Sequence, residues 1–124
     1  YTKALSPVCG CAVAAGIGAS AGIVYLLGGN RRQIEGAIKN MIGGISGMFC
    51  DGGKPGCAFK LSIAAGSAIE AAMMALNDEI ISPLDGIVDD TVEKTIQNMG
   101  IVSTKGMFNT DDVILEVMLS KSLC

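Results

Sequence analysis

The sequence predicts an all-α fold, a compact bundle of about five helices packed around a buried central helix rich in glycine and alanine. Three observations predict it. Apolar residues recur at helical spacing, as with Ile34, Ala37, Ile38 and Met41, which fall at i, i+3, i+4 and i+7 on one face. Seventeen glycines accompany many alanines, the composition of elements whose backbones approach closely. Half of the 124 residues are apolar, so a single domain of this length buries a modest core.

The elements follow in order. Residues 8–27 are an uncharged run of twenty, rich in Ala, Gly, Ile and Val, read as the central helix. Its length also permits a membrane span, and Gly18 and Gly22 have the spacing used for close helix contact. Glycine inside a helix costs roughly 1 kcal/mol relative to alanine, so such a helix needs tight neighbours on several sides. Gly28 and Gly29 end it, and Asn30 is placed to cap the next. The second helix runs from about Arg31 to Ile42, with Arg31, Arg32, Glu35 and Lys39 on its solvated side. Gly43, Gly44 and Gly47 break the pattern.

Residues 50–57 read Cys-Asp-Gly-Gly-Lys-Pro-Gly-Cys, and three glycines with a proline exclude regular structure. A third helix from about Ala58 to Leu76 has small alanine faces and a lone Glu70 in its apolar second half. Residues 77–85, with Pro83, are a connection. Asp89, Asp90 and Thr91 start a fourth helix to about Met99, where acidic residues suit the helix dipole. Residues 100–106 are predicted as a loop. Asn109, Thr110, Asp111 and Asp112 start the last helix, through Val113, Leu115, Met118 and Leu119 to a Ser/Lys tail. Met73, Met74 and Met118 are expected as core filler. With neither repeat nor low-complexity linker, residues 1–124 are expected to form one domain.

Composition excludes several functions. A net charge of −3 with few clustered basic residues, and only 4% aromatics, gives neither the electrostatic footprint nor the stacking platforms expected for nucleic acid. The N-terminal residues lack the charged and apolar regions of a signal peptide. The chain begins at Tyr1 without an initiator methionine, as expected of a piece of something longer. Five cysteines leave one over in any pure disulfide framework. A cytoplasmic location, where thiols stay reduced, is therefore the expectation.

The cysteines carry the chemical signal. Cys9 and Cys11 precede the long helix, Cys50 and Cys57 flank the glycine-rich loop, and Cys124 ends the chain. A 4Fe–4S cluster needs thiolates from segments able to wrap it and backbone N–H groups near its sulfides. The loop's glycines permit that close approach, and Lys54 would favour thiolate at a neighbouring cysteine. Zinc accepts the same ligands, although Cys-x6-Cys is wider than the usual zinc-ribbon pair. Spacing alone leaves cluster, zinc, and structural thiols or a disulfide all open.

Longer stretches carry a resemblance. Cys9-Gly-Cys-Ala-Val-Ala-Ala-Gly, the run from Ser20 to Asn30, the run from Asn40 through Cys50 and Cys57 to Lys60, and Gly106-Met-Phe-Asn-Thr-Asp-Asp-Val-Ile-Leu115 together resemble the L-cysteine desulfidases and their relatives. More distantly they resemble the α chain of iron–sulfur L-serine dehydratases. The resemblance implies that residues 1–124 are the C-terminal, iron–sulfur-ligating part of a longer enzyme. It implies a 4Fe–4S cluster held by Cys50, Cys57 and either Cys9 or Cys11, the dehydratase spacing leaning towards Cys9. The implied reaction eliminates the β-substituent of L-cysteine or L-serine, as sulfide or water, to give pyruvate and ammonia without pyridoxal phosphate. The fourth iron stays open to the substrate. The implied partners are that small amino acid and the N-terminal remainder of the enzyme, with homo-oligomerisation compatible and no nucleic acid or membrane. The catalytic base is unassigned, since the resemblance puts it in the remainder. Lys60 resembles a basic residue of the dehydratases, and reads either as a contact to the substrate carboxylate or as a surface lysine on the first turn of the third helix. Asp51 is expected on loop amides. Glu70 reads as a paired buried carboxylate or a solvated one. Cys124 resembles a terminal cysteine that can fold back to the open iron, against the plainer reading of an exposed thiol. The alternative function is a non-enzymatic soluble helical module with structural cysteines.

Overall fold

The computed structural model describes residues 6–121, and the fold is all-α as expected. Helix α1 (Ala15–Leu26) follows a π-helical turn at Gly10–Ala14. Helices α2 (Arg31–Ile45), α3 (Cys57–Leu76) and α4 (Val92–Ile101) come next, and a second π-helical turn, Val102–Gly106, extends α4. Helix α5 (Thr110–Lys121) closes the order. Three sequence expectations are corrected here. Helix α2 continues through Gly43 and Gly44 to Ile45, where these glycines were expected to break the pattern. Residues 100–106, expected as a loop, stay helical, because Thr104 Oγ1 bonds the carbonyl of Gly100 and Met107 N–H closes on the carbonyl of Val102. The first helix is not one regular run from Val8, since Val8 is extended and pairs with Phe49 in an isolated antiparallel bridge.

Helices α1, α2 and α3 form the body. Each contributes a narrow small-residue stripe: Gly16, Ser20 and Val24 on α1; Gly36, Ala37, Asn40 and Met41 on α2; Ala64, Ala68, Ala71, Ala72 and Ala75 on α3. Small side chains let the axes approach, and the interior is filled by Met41, Ile42, Val13 and Val24. Helix α1 is buried along this stripe rather than on all sides, and Tyr25, Leu26 and Leu27 at its end face solvent. The turn between α1 and α2 is set by chemistry legible in the sequence. Gly29 N–H bonds the carbonyl of Val24 and Gly28 N–H that of Tyr25, with Gly28 at φ 78°, a pattern a Cβ would strain. Asn30 and Gln33 then exchange side-chain and backbone bonds in a capping box.

Buried polar groups lock the body. Asn40 donates from Nδ2 to the carbonyls of Ala71 and Glu79, and its Oδ1 accepts from Ile81 N–H at 2.8 Å. The connection after α3 is thereby tied to α2. Ser20 Oγ donates to the carbonyls of Ile17 and Ala37, joining α1 to α2.

Apolar exposure is the other feature. Among the described residues, one helix, Cys57–Leu76, is long and apolar enough to cross a membrane by length and composition, where the sequence had pointed to residues 8–27. Its alanine stripe packs on α1 and α2, while Phe59, Ile63, Ile69 and Met73 lie exposed on the far side. No residue of α5 is buried. Met73 and Met118 are therefore surface residues, not core filler; the core methionines are Met41 and Met99.

Candidate metal centre

The Val8–Phe49 bridge builds one end of the molecule. Cys9 N–H bonds the carbonyl of Met48 at 2.9 Å, and Cys50 N–H bonds that of Pro7 at 2.6 Å. The segment carrying Cys9 and the segment carrying Cys50 thus lie side by side. Ser6 Oγ and Ser103 Oγ, 2.8 Å apart, pin the first of these segments to the second π-helical turn.

The four described cysteines are free thiols. Cys9 is 1% exposed, packed with Val8, Ala12, Val13, Ile42 and Ala64, and Cys50 packs against the same cluster. Cys11, in the first π-helical turn, is exposed. The charge of the Cys9 sulfur beside it, and then the hydrogen bond between the two side chains, hold the Cys11 thiol above the ordinary cysteine range; Cys57 adds to the same effect. Cys57 opens α3, where its N–H bonds the carbonyl of Lys54 at 2.9 Å and its Sγ donates to the carbonyl of Gly52 at 3.5 Å. Gly52 takes φ 92°, which turns the loop back on itself.

Among the described residues, no three Cys, Asp or Glu side chains converge on the position of a single metal ion. Cys124, the fifth cysteine, lies outside the described residues.

Charged groups line the loop between Cys50 and Cys57. The Asp51 carboxylate pairs with Lys54 through one oxygen and with Lys60 through the other, at 2.5 Å for Lys60. Lys60 Nζ also donates to the carbonyl of Phe49 at 2.9 Å and sits 5.6 Å from the centre of its ring. Asp51, expected on loop amides, instead bridges two lysines. A groove of about 550 Å³ runs beside this loop, lined by Phe49, Asp51, Lys54, Val117, Met118 and Lys121. Glu70 is exposed on α3, beside a separate hollow with Asn40 and Ser67.

Sequence reasoning named the cysteines and the loop but missed what joins them. The Val8–Phe49 bridge is a long-range pairing of two single residues, with no periodicity to announce it. Lys60 lies three residues after Cys57, on the same side of the first turn of α3, and that spacing was the available signal for its link to the loop.

The profile of the serine dehydratase alpha chain family matches residues 1–116. The UPF0597 protein of Clostridium tetani is 64% identical over 121 residues, 98% of this chain and 29% of that protein. A UPF0597 protein of Caldanaerobacter subterraneus is 54% identical over 121 residues, again 98% of this chain and 29% of its own length. One from Clostridioides difficile is 58% identical over 118 residues, 95% of this chain and 28% of that protein. The chain thus spans less than a third of the length of these curated relatives. No solved structure matches it. By the match across nearly its whole length, the chain belongs to the serine dehydratase alpha chain family.

Proposed function

We propose that this chain is the cluster-ligating part of a 4Fe–4S-dependent lyase that converts L-cysteine to pyruvate, ammonia and sulfide, or L-serine to pyruvate and ammonia. The observation that carries the reading is the pairing of the Cys9 and Cys50 segments across the Val8–Phe49 bridge, with Cys57 at the start of α3 closing the loop from Cys50. The donor set fits such a cluster. Each thiolate goes to a different iron, so the ligands need to surround a site rather than meet at a point. Cys50, Cys57 and one thiol of the Cys9–Cys11 pair would hold it. When bound, the cluster supplies a Lewis-acidic iron for the departing β-substituent.

The chain's own residues prepare the site. The backbone bonds at Cys9 and Cys50 fix two ligand segments against each other, and α3 presents Cys57 from its first residue. The apolar packing around Cys9 keeps water from that side.

The whole enzyme's base and most substrate contacts belong, on this reading, to the part of the protein outside these 124 residues. The exposed apolar faces of α3 and α5 support it, since surfaces of that kind mark contacts with other protein. We place the protein in the cytoplasm, where free thiols persist, with the remainder of the enzyme and a small amino acid as partners. A second reading, a helical module with structural cysteines, is favoured by one observation: Cys9 is packed in the core like any small apolar residue.

Anaerobic purification of the full-length protein separates the two. About four irons per chain, with pyruvate formed from cysteine or serine, is the expected result. A colourless protein that takes up no iron on anaerobic reconstitution would leave the structural module.

A further inference from the structure

From the sequence, Lys60 reads as a contact to a substrate carboxylate or as a surface lysine, yet its ammonium group already has partners within the chain. An ammonium has three donors. One goes to Asp51 Oδ1 at 2.5 Å, one to the Phe49 carbonyl at 2.9 Å, and the Phe49 ring lies against the group at 5.6 Å. The Lys60 side chain is 20% exposed and that of Asp51 28%, so the pair is partly sheltered from water. Asp51 uses its other oxygen for Lys54, from within the loop.

The topology of these contacts is informative. Phe49 and Asp51 are the two neighbours of Cys50, and both are tied to Lys60. Lys60 lies one helical turn after Cys57, three residues along the same side of α3. Lys54, the other residue on Asp51, accepts the Cys57 N–H bond through its carbonyl. Every connection from the carboxylate therefore leads from the flanks of Cys50 to the backbone or helical face that carries Cys57.

We propose that Asp51 and Lys60 are positioning residues that clamp the Cys50–Cys57 loop and set the separation of its two thiols. A glycine-rich loop of this kind has many conformations. Charge-assisted hydrogen bonds, stronger than neutral ones, select one of them. Lys60 is then part of the scaffold of the site and not a contact to the substrate carboxylate. The proposal rests on the cluster reading only for what the two thiols hold; the clamp itself acts on the loop with or without iron.

The test uses the full-length protein and three variants, Asp51→Asn, Lys60→Met and Lys60→Arg, each prepared anaerobically with and without reconstituted iron. In the iron-loaded proteins, Asp51→Asn and Lys60→Met release iron to a chelator about tenfold faster or more, the scale of one charge-assisted hydrogen bond. Lys60→Arg restores slow release. The thermal melt stays near wild type, because the clamp reaches only the first turn of α3, ahead of the buried stripe that begins at Ala64. In the iron-free proteins, Cys57 is alkylated by iodoacetamide several-fold faster in the first two variants than in wild type, read by mass spectrometry. Should wild type bind no iron, the cluster reading fails while the alkylation series still decides the clamp. Wild-type rates of both iron release and alkylation in Asp51→Asn and Lys60→Met would overturn it. So would a Lys60→Met enzyme with unchanged iron release and KM raised about tenfold, the signature of a lost carboxylate contact.

Discussion

In the body of α1, α2 and α3, order comes from small apolar stripes pressed together and from side chains such as Asn40 and Ser20 whose polar atoms are all satisfied internally. At the cysteine end, order comes from a single-residue bridge, a few backbone bonds and a carboxylate shared between two lysines, with apolar α5 alongside and no residue of it buried. The body is closed upon itself. At the cysteine end the loop and α5 stay largely exposed among the described residues. Stability and candidate chemistry thus draw on different interactions, and they meet at Cys9, which packs in the core with Ile42 and Ala64.

The largest expected effect sits at the open end. In the full-length protein, Cys50→Ser or Cys57→Ser abolishes iron binding and lyase activity together, while far-UV circular dichroism and the melting temperature stay near wild type. Cys9→Ser and Cys11→Ser separate: one loses iron and the other keeps it. Full iron content in both would break the three-thiol assignment.

Next comes the closed end. Ile42 is 0% exposed, and Ile42→Ala removes apolar volume where α2 meets the segment around Cys9. The expected loss is about 2–5 kcal/mol of stability, read by chemical denaturation. Protein that remains folded should still bind iron.

Asn40→Ala is milder. It leaves Ile81 N–H and two carbonyls without their partner, at a cost of about 1–3 kcal/mol. Faster hydrogen exchange at Ile81 identifies the site. A neutral outcome would mean that the connection after α3 is held by its apolar contacts alone.

How much of this was legible beforehand follows from the kind of interaction. The periodicity of α2, the Asn30 cap and the glycine pair before it were read correctly because each is decided within a few residues. So was the break at residues 50–57. The bridge between Val8 and Phe49, and the Asp51–Lys60 pair, depend on where the chain returns to itself, and local pattern carries no trace of that. Residues 100–106 were misread because glycine and β-branched residues suggest a loop, while the Thr104 bond to Gly100 keeps the backbone winding. Met73 and Met118 were placed inside on hydrophobicity alone, yet both side chains are exposed. The cysteines were identifiable as a group. Their individual environments, Cys9 buried and Cys11 exposed two residues away, were not.

The smallest effect is a pH dependence at the start of α4, well away from the thiols. Asp90 N–H donates to Asp89 Oδ1 at 2.8 Å, and this bond, then Asn98 and Lys94, hold the Asp89 carboxyl below its usual range. A depressed folded-state pKa stabilises the protein above the unfolded value, near ~3.9, and the contribution fades as pH falls through the folded value. Asp89→Asn should therefore lower the melting temperature slightly at neutral pH, and the difference from wild type should vanish at strongly acidic pH. A difference that persists in acid would assign the effect to shape rather than charge.

The central claim is that the cysteine end holds a 4Fe–4S cluster, and the most direct measurement is Mössbauer spectroscopy of the full-length protein reconstituted anaerobically with iron-57 and sulfide. The account predicts a spectrum of a four-iron cluster, with one iron site changed on adding L-cysteine or L-serine, and no such spectrum in Cys57→Ser. Iron absent from the wild-type protein, or bound equally well by Cys57→Ser, would contradict it.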